Sequence, residues 1–313
     1  MKEIITVLIC LLICLSSFPL LRYDNIKVSS VSKKVSNIIK ENKSDEEVFR
    51  IKSEDGKIKT YSATDYIIGV LCGEMSPLSE KEALKAQAVA AYTFALKRKQ
   101  SATGRDYDLT DLPQNDQCFI EKSKLNDKWG ENAEQYYNII YNAVTEVKGQ
   151  WLSFEGEPAL TVYHAISPGK TVSCQDAWGK SLPYLKSVES PGDKLSPKLT
   201  TEVSLTYDEI AKKLEIEKSE INFDNIVLTD SGTVKSVKIN EKTFSGEEIR
   251  KALSLKSTCF AAAKNETGYI FTVKGNGHGV GLSQTGAQYM AMQGNGYKEI
   301  LLYYYKGCTL EKN

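Results

Sequence analysis

The segment after residue 79 carries small and apolar side chains at helical spacing. One face of the predicted helix is lined by Leu84, Ala88, Ala91 and Ala95. Ser79 and Glu82 have the spacing of a capping box, in which each side chain bonds the backbone amide of the other residue. We therefore predict a helix that starts there and ends near Lys99.

The same capping-box spacing recurs twice later in the chain. Thr206 with Glu209 predicts one short helix, and Ser245 with Glu248 predicts another. Apolar positions at helical spacing predict three more helices, at Glu131–Lys148, Ser283–Gln293 and Tyr297–Tyr305.

Runs of β-branched and aromatic residues predict strands between these helices. They are Trp151–Phe154, Ala159–Tyr163 and Tyr269–Val273, and the turn at residues 155–158 joins the first two. Because helices and strands alternate without regular βαβ units, we assign the chain to the α+β class, with mixed helices and strands in one domain.

The first residues of the chain follow a different pattern. Ile4 to Leu21 carry no charge, and about 18 apolar residues can span the hydrocarbon core of a membrane. A cleaved signal peptide is the alternative, but Ser16 and Ser17 are not followed by a clear cleavage site. We predict a transmembrane anchor at residues 1–22, a polar tether at 23–47 and one folded domain at 48–313 outside the cytoplasm.

Composition narrows the possible functions. The chain of 313 residues has 40 basic and 40 acidic side chains, and its net charge of zero argues against nucleic-acid binding. Its seven cysteines include no CxxC pair, so we expect free thiols, most of them buried. With only two histidines, a zinc site is hard to assemble.

Glu74 is the first candidate for chemistry. It lies in the sequence Cys-Gly-Glu-Met-Ser-Pro at residues 72–77, which we predict to be a loop between two helices. Burial beside apolar neighbours would raise the pKa of such a carboxyl group, as a general acid requires. The spacing alone favours a solvated loop glutamate or a charge at a helix start.

A glycine-rich loop around His278 is the second candidate. Residues 275–284 read Gly-Asn-Gly-His-Gly-Val-Gly-Leu-Ser-Gln, and such a run lets backbone approach a ligand closely. It lacks the lysine of a phosphate-binding loop and the βαβ context of a dinucleotide fingerprint. His278 itself is compatible with a structural hydrogen bond, a ligand contact or proton transfer.

A third segment, residues 163–171, leaves the strand predicted to end at Tyr163 and enters a turn. A serine triad would need His164 or His278, but the chain has no GxSxG elbow. No cysteine peptidase signature is present either. The residues alone therefore indicate an exported α+β domain with a ligand cleft.

Taken together, these segments resemble the stage II sporulation protein D family. The matching text comprises Gly-Glu-Met at 73–75, Glu-Ala-Leu-Lys-Ala-Gln-Ala-Val-Ala-Ala at 82–91, the turn at 167–171, Trp-Gly at 178–179, Leu-Pro-Tyr-Leu-Lys-Ser-Val at 182–188 and Gly-His-Gly-Val-Gly-Leu-Ser-Gln-Thr-Gly-Ala at 277–287. The similarity runs in family order from about Val48 to Thr309.

This resemblance implies a lytic transglycosylase that acts on peptidoglycan from which stem peptides have been removed. It places the family's catalytic glutamate at Glu74 as the single acid and base. The substrate-binding residues that it implies are Lys85, Tyr163, Ser167, Thr171, Tyr184, His278, Ser283 and Gln284. Lys85 is also compatible with a merely solvated charge.

The resemblance also implies a setting. The expected location is the mother-cell membrane facing the space around the engulfed forespore, with a single membrane pass. The expected partners are denuded glycan strands, a sporulation amidase of the stage II sporulation protein P type and a membrane recruiter of the stage II sporulation protein M type, with no nucleic acid.

Two positions and one region depart from the family pattern. Tyr92 stands where relatives carry arginine, and Pro168 replaces the first glycine of the Ser-Gly-Gly-Lys-Thr turn. Some clostridial relatives carry a zinc cluster in the region corresponding to Thr110–Glu121, but here that region keeps only Cys118 and no histidine. We therefore expect no cofactor and no zinc. A non-catalytic glycan-binding scaffold and a peptidoglycan amidase remain as alternative functions.

The apolar N-terminus generates a first testable expectation. Because Ile4–Leu21 lacks a convincing cleavage site, the mature protein should keep Met1 or Lys2 and should fractionate with membranes. N-terminal peptide mass spectrometry of the membrane and soluble fractions measures both properties. A soluble form that begins near Arg22 would contradict this expectation.

Overall fold

A computed structural model of the protein describes residues 47–217, 221–223 and 225–313. The predicted anchor and all of the predicted tether except Glu47 lie outside these ranges. Within the described ranges, no helix is long and apolar enough to cross a membrane.

Helices and strands are interspersed along the chain, which confirms the α+β class. The α-helices in the described ranges are α1 (Ala63–Glu74), α2 (Lys81–Gln100), α3 (Leu125–Trp129), α4 (Ala133–Glu146), α5 (Cys174–Trp178), α6 (Tyr207–Leu214), α7 (Gly246–Ala252), α8 (Gln284–Met292) and α9 (Tyr297–Tyr304). Short 3-10 turns lie at Lys122–Lys124, Gly130–Asn132 and Pro191–Leu195.

The strands form small sheets. They are β1 (Val48–Lys52), β2 (Ile58–Ser62), β3 (Leu109–Thr110), β4 (Gln150–Phe154), β5 (Glu157–Pro158), β6 (Tyr163–His164), β7 (Thr200–Thr206), β8 (Asn225–Leu228), β9 (Val234–Ile239), β10 (Lys242–Ser245), β11 (Phe260–Lys264), β12 (Gly268–Lys274), β13 (Leu282–Ser283) and β14 (Thr309–Lys312). The strand orders are β2-β1-β3, β14-β4-β5, β13-β6, β11-β12-β7 and β10-β9-β8.

Helix α2 lies at the centre of the larger hydrophobic core. Its residues from Ala83 to Ala95 are almost all buried, because helices α1, α4, α8 and α9 and strand β4 contact it from several sides. The many alanines of α2 lack bulky side chains and so allow these neighbours to approach closely. A helix that is buried all round, rather than on one stripe, fixes the orientation of everything packed against it.

A second core lies between residues 200 and 274. It is built from side chains of helices α6 and α7 and of the sheets β11-β12-β7 and β10-β9-β8, including Ile210, Val237, Ile249 and Phe271. The segment leaves and rejoins the rest of the domain at one place, since Thr200 pairs with Lys274 and the amide of Gly275 donates to the Leu199 carbonyl at 2.7 Å.

Parallel pairing of β6 with β13 joins two segments that are far apart in sequence. Leu282 lies opposite Tyr163, and Ser283 lies opposite His164. Gly281, just before β13, has a positive φ of 73°, and a Cβ atom there would lie 2.1 Å from the Val162 carbonyl oxygen. Glycine is therefore required for the two strands to meet.

Several predicted elements are confirmed. Thr206 and Ser245 are N-caps with complete capping boxes to Glu209 and Glu248. The helix predicted at Glu131–Lys148 is observed as α4, and the strands and helices predicted at 151–154, 269–273, 283–293 and 297–305 are observed within one or two residues of their predicted bounds. The five cysteines outside the apolar N-terminal segment are free, and three of them are buried.

The capping box predicted at Ser79 and Glu82 is wrong. Helix α2 begins at Lys81, and its N-cap residue Glu80 makes no capping side-chain bond. Glu82 instead accepts a hydrogen bond from the Tyr297 amide at 2.9 Å and pairs with Lys85 at 2.8 Å. The Glu82 carboxylate is therefore bonded to Tyr297 and Lys85 and does not cap the start of helix α2.

The strand predicted at Ala159–Tyr163 is mostly wrong as well. Strand β5 covers only Glu157–Pro158, the Ala159 amide adds one bond to the Leu152 carbonyl at 3.0 Å, and Tyr163 belongs to β6. Between these two strands, side-chain hydrogen bonds stand in place of strand pairing. The Thr161 hydroxyl donates to the Ala90 carbonyl at 2.7 Å, and the Leu160 amide donates to the Tyr184 hydroxyl at 3.0 Å. Alternation of side chains does not reveal such bonds.

Thr93 of helix α2 provides a test of how the first core is held. Its hydroxyl donates to the Val89 carbonyl at 2.7 Å and accepts from the Leu152 amide of strand β4 at 2.9 Å. Thr93→Val keeps the shape but leaves a buried amide without its acceptor, so we expect the free energy of unfolding to fall by about 1–3 kcal/mol. Urea unfolding measures this change.

Thr145→Val is the matched control. The Thr145 hydroxyl also donates to a helix carbonyl, that of Tyr141 at 2.8 Å, but it is more exposed and, among the described residues, bonds only its own helix. The control should change stability by less than about 0.5 kcal/mol. Equal losses in the two variants would show that the bond to Leu152 contributes nothing.

Candidate active site

Glu74 is the last residue of helix α1, so the prediction that it lies in a loop is wrong. The helix ends because Met75 adopts an extended conformation while its amide still bonds the Leu71 carbonyl, and Pro77 follows. A helix end gives the side chain a better-defined position than a loop, because the helix backbone before it is fixed.

Cys118 supplies the backbone hydrogen bond to the candidate acid. Its amide donates to Glu74 Oε1 at 2.8 Å. The approach requires Gly73, since a Cβ atom at that position would lie 2.7 Å from the Cys118 sulfur. Gly69, one turn earlier in α1, makes room for the Phe119 ring in the same way.

Burial raises the pKa of Glu74 above its ordinary value of 4.5. The Cys118 amide, the Gln284 side chain, the Tyr163 hydroxyl and the Lys128 ammonium oppose this shift by favouring the charged form. Desolvation is the largest of these effects, so the carboxyl group holds its proton more tightly than a glutamate in water. This is the direction that general acid catalysis requires.

Tyr163 and Gln284 reach Glu74 through the β6–β13 pairing. The structure therefore brings together three residues that the sequence placed in separate motifs. The Tyr163 hydroxyl also donates to Gln117 Oε1 at 2.8 Å. Gln284 begins helix α8, and its Nε2 atom is buried without a hydrogen bond of standard geometry among the described residues, although its side chain acts on the Glu74 pKa.

The two histidines stabilise the glycine-rich loop. Burial lowers the pKa of His164 to about 4 and that of His278 to about 3, so both rings are neutral. His278 Nδ1 accepts from the Val280 amide at 3.1 Å, and His164 Nδ1 donates to the Val280 carbonyl at 3.1 Å. The His278 ring also lies 5.1 Å from that of Trp178, a half-exposed side chain. Substrate contact by His278 stays a prediction.

Asp193 connects two of the predicted site residues. Its buried carboxylate accepts from the Ser167 amide at 3.0 Å, from the Ser167 hydroxyl and from the Ser283 hydroxyl at 2.7 Å. Ser283 is also the N-cap of helix α8, because its hydroxyl accepts from the Gly286 amide. Ser167 and Ser283 thus have internal partners, and contact of either with substrate stays a prediction.

Thr171 and Tyr184 are buried and bonded within the domain. The Thr171 hydroxyl accepts from the Val188 amide at 2.9 Å, and the Tyr184 hydroxyl accepts from the Leu160 amide. Their roles as sugar contacts also stay predictions. Tyr92, which stands at the family's arginine position, is buried, with its ring centroid 6.2 Å from that of Phe49. The Tyr92 side chain is therefore part of the larger hydrophobic core.

Two lysines differ in how they are paired. Lys85 forms ion pairs with Glu82 at 2.8 Å and Glu146 at 3.6 Å, and its ammonium lies 4.6 Å from the centroid of the Tyr297 ring. It is therefore not merely solvated. Lys128 donates to the Cys72 carbonyl at 2.6 Å, close to the end of helix α1.

Sequence reasoning missed Gln117, Lys128 and Asp193, and it did not connect Cys118 with Glu74. Each of these residues acts through contacts with segments far along the chain, so local pattern carries no signal for them. Within the described ranges, no group of three or more histidine, cysteine or acidic residues is arranged to hold a metal ion. The absence of zinc from the protein stays a prediction.

Comparison with known proteins gives consistent results. A family model described as "Stage II sporulation protein" matches residues 52–154. The chain is 34% identical over 266 residues to the stage II sporulation protein D of Bacillus amyloliquefaciens, covering 83% of this chain and 77% of that protein. It is 34% identical over 253 residues to the protein of the same name from Bacillus subtilis (strain 168), covering 79% and 74%. A Bacillus subtilis protein named amidase enhancer is 26% identical over 301 residues, covering 77% of this chain and 40% of that protein.

The raised pKa of Glu74 predicts a pH-dependent stability difference. The folded state holds this proton more tightly than the unfolded state, so stability is lost as the pH rises from the ordinary value of 4.5 through the raised pKa. Glu74→Gln keeps an acceptor for the Cys118 amide but cannot ionise. The variant should therefore melt at a higher temperature than the parent near pH 8, and the difference should shrink near pH 4. A difference that is independent of pH would contradict the raised pKa.

Proposed function

The chain belongs to the stage II sporulation protein D family and is a sporulation protein, and we propose that it is a lytic transglycosylase. In this proposal it cleaves the bond between N-acetylmuramic acid and N-acetylglucosamine in denuded glycan strands and leaves a 1,6-anhydro end. The observation that supports this reaction most directly is the half-buried carboxyl group of Glu74, whose pKa is raised by desolvation.

One carboxyl group suffices for this reaction, whereas a glycosidase that uses water normally places two across the bond. The groups that shift the Glu74 pKa most are an amide NH, a carboxamide, a phenol and an ammonium, and none is a carboxylate. Asp193, another buried acid, uses its two oxygens for Ser167 and Ser283. It is therefore engaged in structure rather than presented to a sugar.

The proposed reaction uses Glu74 twice. As an acid, Glu74 gives its proton to the glycosidic oxygen while the bond from that oxygen to C1 breaks. As a base, it takes the proton of the 6-hydroxyl while that oxygen bonds C1. No water is consumed, and Glu74 ends in its starting protonation state. A pKa above the ordinary value suits a group that must be neutral first and ionised next.

The neighbours of Glu74 support the second step. The Cys118 amide already bonds Glu74 Oε1, and Tyr163 and Gln284 also lower its pKa, so all three favour the ionised carboxyl group when the proton leaves. General acid and base catalysis typically raises a reaction rate by a factor of about 10²–10⁴. In this proposal the neutral His164 and His278 have a structural role. Their hydrogen bonds to Val280 stabilise the β6–β13 pairing that positions Tyr163 and Gln284.

We further propose that this activity serves engulfment of the forespore. The apolar segment at residues 4–21 would anchor the protein in the mother-cell membrane, with the domain outside the cytoplasm. A sporulation amidase would remove the stem peptides first, and a membrane protein would recruit the enzyme. The similarity to a protein named amidase enhancer supports work beside an amidase.

Glu74→Gln tests the proposal directly. The amide has the size and polarity of the acid but cannot exchange a proton, so anhydro-muramic ends should disappear while the fold is kept. Mass spectrometry of denuded glycan strands after incubation with each protein measures the product. Glu131→Gln is the control, because Glu131 is exposed, and it should retain the parent rate.

Other products would indicate other functions. Reducing ends that incorporate solvent oxygen would identify a hydrolase, and released stem peptides would identify an amidase. Binding without any product would identify a glycan-binding scaffold. Turnover of denuded strands by Glu74→Gln at the parent rate would overturn the proposed mechanism.

A further inference from the structure

Lys128 places an ammonium group beside the candidate active site. Its Nζ atom donates one hydrogen bond, at 2.6 Å, to the carbonyl of Cys72, two residues before Glu74. The same Nζ atom lies 5.6 Å from the centroid of the Trp129 ring. Lys128 is exposed, so a solute can reach its charge.

This ammonium acts on the groups of the site. It lowers the pKa of Glu74, Cys72 and Cys118, each of which burial raises. Its position at the carbonyl end of helix α1 is also favourable, since cations stabilise helix C-termini. The site therefore presents positive charge next to the acid that would cleave the glycan.

Lys128 has unused hydrogen-bonding capacity. An ammonium group has three donors, and the Cys72 carbonyl takes one of them. In the part of the chain that the structure describes, no carboxylate forms an ion pair with Lys128, whereas Lys85 is paired with Glu82 and Glu146. Two donors and a full charge are thus available to an anion on the substrate.

We propose that Lys128 binds the free lactyl carboxylate of muramic acid and so makes the site selective for strands without stem peptides. This inference rests on the proposed function and names how that same site selects its substrate. Removal of a stem peptide converts a neutral amide on the lactyl group into a carboxylate. The lysine ammonium forms an ion pair and a hydrogen bond with the carboxylate, whereas the amide offers it only a neutral acceptor.

Two substrates that differ only in this charge test the inference. One is a denuded glycan strand with free lactyl carboxylates, and the other is the same strand with those groups converted to methylamides. The full-length parent should cleave the free acid with a kcat/KM at least about tenfold higher than that for the amide, as expected of one hydrogen bond to a charged group. Lys128→Gln should bring this ratio close to one, and Lys128→Arg should restore much of it.

Lys124→Gln is the matched control. Lys124 is exposed and belongs to the 3-10 turn just before helix α3, where its charge acts on Glu121. The control should keep the parent ratio. The ratio is insensitive to a general loss of folded enzyme, because both substrates are cut by the same preparation. If Lys128→Gln slows both substrates by one factor, or leaves the ratio unchanged, the inference is wrong.

A binding measurement separates this inference from the proposed function. Glu74→Gln should bind the free-acid strand more tightly than the methylamide strand, and the double variant with Lys128→Gln should lose the difference. If the parent yields no anhydro product, the proposed function fails, while the binding comparison still decides the role of Lys128. Equal binding of the two strands by Glu74→Gln would overturn the inference.

Discussion

Asp193 carries a buried carboxylate whose two oxygens are shared between distant parts of the chain. One oxygen accepts from the amide and the hydroxyl of Ser167, and the other accepts from the hydroxyl of Ser283. A buried carboxylate is tolerated only when such partners are present, and loss of a partner is costly. Because Ser283 caps helix α8, this one charge fixes both the turn at residues 167–171 and the helix that begins with Gln284.

The surroundings of Glu74 follow from a second constraint, which is steric. Helix α1 has glycine at 69 and 73, on the face crossed by Cys118 and Phe119, so that segment lies directly on the helix backbone. The crossing buries the last side chain of the helix and at the same time supplies it with an amide donor. Desolvation and hydrogen bonding thus act in opposite directions on the same carboxyl group, and its pKa is set by their balance.

The sequence predicted what depends on neighbours a few residues away. The capping boxes at Thr206 and Ser245 formed, because the Glu209 and Glu248 carboxylates bond their own N-cap residues in the described part of the chain. Glu82 has the same spacing from Ser79 but meets Tyr297, on a helix at the other end of the chain, and the predicted box is absent. Propensity and spacing cannot describe a competition that only the folded chain creates.

The residues of the candidate site likewise fall into two groups, those with a recognisable motif and those that only the fold brings to the site. Glu74, Tyr163 and Gln284 were expected because their motifs resemble those of a known family. Lys128 and Asp193 have no motif, and they matter through a carbonyl at a helix end and two distant hydroxyls. The segment at Ala159–Tyr163 also reads as a strand until the hydroxyls of Thr161 and Tyr184 are seen to replace a neighbouring strand.

Residues 200–274 leave and rejoin the rest of the domain at one place, and this arrangement affects the rate at which the domain folds. Asp193 and Ser283 are far apart along the chain, and the entropy cost of joining them grows with the length of the loop between them. If the inserted segment folds first on its own core, the bond between Leu199 and Gly275 removes most of that loop. Within the segment, short loops join β8 to β9, β9 to β10 and β11 to β12, and such local pairings favour early folding. The insertion then acts as a cooperative folding unit that lowers the barrier to forming the site, although none of the groups around Glu74 belongs to it.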